Sequence, residues 1–98
     1  MNYVDRIAAE IQRTADPAAM PSDQLLSPYR YYAVLLLAKG EDVTAEDVHN
    51  AWAAWTSEHN PAHHHLKPFH ELPASVQRQD EPFAAAIRQV AARMARDE

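Results

Sequence analysis

Apolar residues at Tyr3, Val4, Ile7, Ala8 and Ile11 fall on one stripe of a helix, with Asp5, Arg6, Glu10 and Arg13 on the other side. Asp16-Pro17 and Met20-Pro21-Ser22 break that period, because proline lacks an amide hydrogen and restricts its predecessor. Residues 14–27 therefore read as a connection, with a short turn at Asp23 to Leu26. Ser27-Pro28 suits a helix start, with serine as cap and proline at the first helical position. From Tyr29 to Lys39 the chain is apolar nearly all round, as in a central helix, and Gly40 is a natural left-handed stop. Thr44-Ala45-Glu46-Asp47 resembles a capping box whose acids suit the positive end of the helix dipole. Val48, Ala51, Trp52 and Trp55 form the stripe of the helix it opens, which should end near Ser57. Both indoles are expected inside, their burial together as the largest single core contribution.

Asn60-Pro61 ends regularity, and the chain from His63 to Pro68 reads as extended, with Leu66 and Phe69 pinning it to the core. Leu72 to Val76 suits a short helical turn, and Asp80-Glu81-Pro82 a second cap with an early proline. Phe83, Ala86, Ile87, Val90, Ala91 and Met94 then give a stripe opposite Arg88, Gln89, Arg93 and Arg96, which should form a solvated face. With no hairpin signal and no internal repeat, the pattern predicts an all-α fold. The expectation is one domain over residues 1–98, a small bundle of about four helices with loops at 14–27 and 58–72, the second long and extended.

Composition narrows the chemistry. Ninety-eight residues suit one core. A net charge of −5 argues against nucleic acid as a partner, since phosphate neutralisation needs a basic face. A single glycine, Gly40, rules out a phosphate loop or a dinucleotide fingerprint, which need several. The chain has no cysteine, so it offers neither a disulfide nor a thiolate metal site. Neither a run long enough to span a membrane nor a signal-peptide pattern appears, so the expected location is the cytoplasm.

His59, His63, His64, His65 and His70 suggest metal, yet Asn60-Pro61 prevents the helix that would align His59 with His63, and no metal or other cofactor is expected. Carboxylates are scattered and no nucleophile motif occurs, so catalysis is not expected. His49 should act as a staple, bonding a backbone carbonyl of the following loop.

From Val48 to Phe83 the chain resembles the ryanodine-receptor repeat (RyR) domain in its bacterial and phage form. His49-Asn50-Ala51-Trp52 matches the family's His-x-x-Trp. The run His63 to Phe69 is similar to its His-Pro-x-Leu-Val-Pro-Tyr element. Glu71-Leu72-Pro73, Asp80 and Phe83 are similar to its Leu-Pro pair and to the opening of its last helix. The family's Gly-Trp-x-Tyr-Gly segment is replaced here by Ser57 to Ala62. The resemblance implies a non-catalytic recognition module for an adenine-nucleotide-like small molecule, with Trp52 as the stacking surface. The expected ligand-binding residues are His49, Trp52, Trp55, Lys67 and Phe69, with Lys67 or Lys39 meeting phosphate. The alternative is a protein-interaction or homodimerising module, for example a phage-derived one directed at a host factor, which would use Tyr29, Tyr31 and Tyr32.

Overall fold

A computed structural model describes residues 2–18 and 23–97, the side chains of 23–25 excepted. Its radius of gyration is 13.2 Å, close to the ~13 Å of a compact 100-residue domain, so the helices form one body. The described residues are all-α, with no strand. Helix α1 spans Tyr3–Ala15, α2 Asp23–Lys39, α3 Ala45–His59, the single-turn α4 Ala74–Gln77, and α5 Glu81–Arg96. Short 3-10 turns sit at Gly40–Asp42, Phe69–Glu71 and Arg78–Asp80.

The caps explain most boundaries. Asn2 accepts the Asp5 amide at 2.8 Å and opens α1. Gly40 has φ 57, a conformation that costs other residues a steric penalty, and it ends α2. The capping box at Thr44 is complete: the Thr44 hydroxyl accepts the Asp47 amide, and the Asp47 carboxylate accepts the Thr44 amide.

Helix α2 begins at Asp23, not at Ser27-Pro28, and Pro28 lies inside it. Proline there forfeits one backbone hydrogen bond. The added turn brings Leu26 into the core and lets the Ser27 hydroxyl accept Trp55 Nε1–H at 2.9 Å, so serine holds an indole instead of capping. The break expected at Met20-Pro21-Ser22 lies outside the described residues.

The largest fully buried side chains are Ile11, Val43, Val48, Ile87 and Val90, between α1, α3, α5 and the α2–α3 connection. Trp52 and Trp55 are only half-buried, a correction to their expected place in the core. Trp52 packs against the edge of the core from the middle of α3, and Trp55 lies one turn further on. That loop is not extended. Backbone bonds from His63 to Asn60, Leu66 to His63 and Lys67 to His65 fold it into consecutive turns.

The arginines of α5 differ from expectation too. Arg88 donates to the Val43 carbonyl at 2.8 Å and to Glu81, while Arg93 donates to Thr14 at 2.8 Å, so two of the three tie elements together. Arg96 is exposed.

Candidate functional site

Six parts of the fold converge on one cleft of about 300 Å³, α4 among them through Val76. Helix α3 contributes His49 and Trp52, three residues apart and hence on one face. The turns after α3 lay His63 and His65 along its rim, Tyr32 comes from α2 and Phe83 from α5. The 3-10 turn before α5 supplies Asp80.

His49 is the pivot. It is 3% exposed, and its Nε2 lies 2.6 Å from the Lys67 carbonyl oxygen. A carbonyl only accepts, so Nε2 carries the hydrogen and the ring staples the loop to α3. That leaves Nδ1 turned toward Asp80, whose carboxylate is 3.9 Å away, beyond hydrogen-bond reach. The imidazole stacks on Trp52 with centroids 5.5 Å apart and an interplanar angle of 29°. His63 meets the same indole edge-on at 5.0 Å. The indole is thus held in orientation by two imidazoles while it lines the cleft.

Asp80 caps no helix: its side chain makes no cap bond to α5, although the sequence pattern pointed to one. It is 17% exposed, and burial raises its pKa, opposed by the nearby His49 ring. Burial, then Asp80 and Tyr29, pushes the Tyr32 hydroxyl above its ordinary value, so it stays protonated as a donor. The His65 imidazole is held below its ordinary value by desolvation and by the neighbouring His64, His63, His49 and Lys67.

Of the five residues expected to bind ligand, only His49 and Trp52 line this cleft. Trp55 bonds Ser27 and stacks on His59 at 4.3 Å, away from it. Phe69 packs on the His49 ring at 6.0 Å and acts from behind the wall. Lys67 contributes its carbonyl to the His49 staple and lines a separate groove with Asn50, Ala53 and Leu66, not the cleft. Lys39 is paired with Asp47 at 2.9 Å, so neither lysine meets a phosphate in the cleft. Phe83 was placed on the apolar stripe of the last helix and Asp80 at its cap, so spacing did not bring either of them to the cleft. Tyr32, expected with Tyr29 and Tyr31 on a partner-facing surface in the alternative reading, is instead 5% exposed and lines the cleft.

Among the described residues no group of three or more His, Asp or Glu side chains is arranged to hold a metal ion. The consecutive imidazoles 63 to 65 pack against one another instead, with centroids 4.1 to 5.3 Å apart, 63 and 64 stacked and 65 tilted against both. No helix among the described residues is long and apolar enough to cross a membrane.

The family described as Domain of unknown function (DUF7701) matches residues 2–92, and the chain belongs to it. No curated protein and no solved structure matches the chain.

Proposed function

We propose that this DUF7701 member is a non-catalytic recognition module, RyR-like in its central motif, that binds a nucleotide-like small molecule by its planar base. One observation carries the reading: Trp52 keeps part of its ring on a cleft wall although it lies on the apolar stripe of α3. An indole braced by His49 and His63 is a preorganised stacking surface, and stacking on such a ring is worth ~1–3 kcal/mol per base. The cleft volume suits a base and leaves sugar and phosphate outside. That arrangement agrees with a lining that contains no lysine or arginine.

A second reading rests on a different surface. An apolar groove of about 590 Å³ lies between α1, α2 and α3, lined by Val4, Tyr31, Val34, Leu35 and Ala51. Val34 is 56% exposed, and Leu37, further along α2, is 49% exposed. Such a face suits a protein partner or a second copy of the chain.

Tryptophan fluorescence separates the two. Titration with nucleosides and their monophosphates is expected to change the emission saturably, and Trp52→Leu to abolish the change while Trp55 still emits. An unchanged spectrum up to millimolar ligand would remove the small-molecule reading and leave the interaction reading, which light scattering of the purified chain then tests.

A further inference from the structure

The cleft has two chemical features that together restrict its ligand. Its walls are aromatic, with Trp52, Phe83 and Tyr32, and its one carboxylate is Asp80. Asp80 is mostly enclosed, yet among the described residues it accepts no hydrogen bond, and the His49 ring nitrogen stands too far off to supply one. An ionised carboxylate is acceptor-only and holds two oxygens side by side, so it is completed by two parallel N–H donors. Its oxygens stay open to the cleft, since the buried side-chain polar atom without a partner among the described residues is Thr56 Oγ1, so an entering ligand meets a carboxylate that no donor of the chain has claimed.

We propose that the cleft selects a planar group carrying an H–N–C–N–H donor fork, stacked on Trp52 and paired edge-on with the two oxygens of Asp80. This rests on the small-molecule reading above and narrows it. The N1–H and N2–H₂ edge of guanine presents that fork, and so does a guanidinium ion. Both are flat, both fit a cleft of about 300 Å³, and a guanidinium also gains from the aromatic faces. The N1/N6 edge of adenine presents one donor and one acceptor. Its N1 lone pair would face a carboxylate oxygen, which is repulsive. The fork therefore displaces the adenine-type ligand that the family resemblance implies.

The test is calorimetric titration of the wild-type chain at pH 7.5 with guanosine, inosine, adenosine and methylguanidinium. Guanosine or methylguanidinium is expected to bind at least tenfold more tightly than adenosine. The tighter of the two identifies the source of the fork. Inosine keeps N1–H but lacks the second donor, so if the base is the source it should fall below guanosine without any change to the protein. Asp80→Asn replaces one acceptor by a donor and should remove the preference. Because Asp80 makes no cap bond, the variant should remain folded by circular dichroism. Adenosine bound as tightly as guanosine and methylguanidinium, or a preference that survives in Asp80→Asn, overturns the fork and leaves the recognition reading standing. No heat with any of the four ligands overturns both.

Discussion

At the residue scale, Asp80 works against the fold's stability. Burial raises its pKa in the folded chain, with His49 opposing, so the native state holds the proton more firmly than the unfolded state does. Stability must then fall as pH rises from the ordinary carboxylate value of 3.8 through the higher folded value, and the deficit persists at neutral pH. Asp80→Asn should accordingly be at least as stable as wild type in urea at pH 7, with a flatter dependence of stability on pH in the acid range. A clear loss of stability at pH 7 would show that the carboxylate is instead serving the fold. A residue kept at some cost to stability fits a role in binding. The neighbouring His49 illustrates what sequence could and could not supply. Its role as a staple was legible, because nothing near it in sequence makes a proton-transfer partner and a proline-rich loop follows its helix. Which carbonyl it reaches, and that its free nitrogen turns to Asp80, depends on the turns of residues 60–68.

At the element scale, the Thr44 capping box fixes where α3 begins and hence where Trp52 points. Burial pulls the Asp47 carboxyl upward, but the Lys39 ammonium and the two bonds with Thr44 outweigh it and hold its pKa below the ordinary value. That stabilisation is present above pH 3.8 and is lost as pH falls through the lowered folded value. Asp47→Ala should cost ~1–2 kcal/mol at pH 7, most of it from the cap, since the exposed Lys39 pair adds little. Chemical denaturation should show the difference shrinking below pH 3.8. A variant equal to wild type at pH 7 would contradict this role for the cap. Helix starts marked by such boxes were legible in the chain. The start of α2 was not, because a serine–proline pair normally reads as a cap, and only the burial of Leu26 and the Ser27–Trp55 bond extend the helix backward. Tertiary packing outweighed a local signal there.

At the scale of the whole molecule, the four long helices and the absence of strands among the described residues follow from hydrophobic period alone. The site does not. Its residues are contributed by α2, α3, α4, α5, the rim turns and the 3-10 turn before α5, and they span the chain from Tyr32 to Phe83 in separate segments. The tryptophans show the difference most clearly. Their identical helical spacing suggested one environment, yet Trp52 borders the cleft while Trp55 is fixed to Ser27 behind it. This difference can be measured. A proton–nitrogen correlation spectrum of the labelled chain carries two indole N–H signals, assignable through Trp55→Phe. Addition of the tighter-binding of guanosine and methylguanidinium should move the Trp52 signal progressively to saturation and leave the Trp55 signal in place. Two unmoved indole signals, or movement confined to Trp55, would contradict a ligand site built on Trp52.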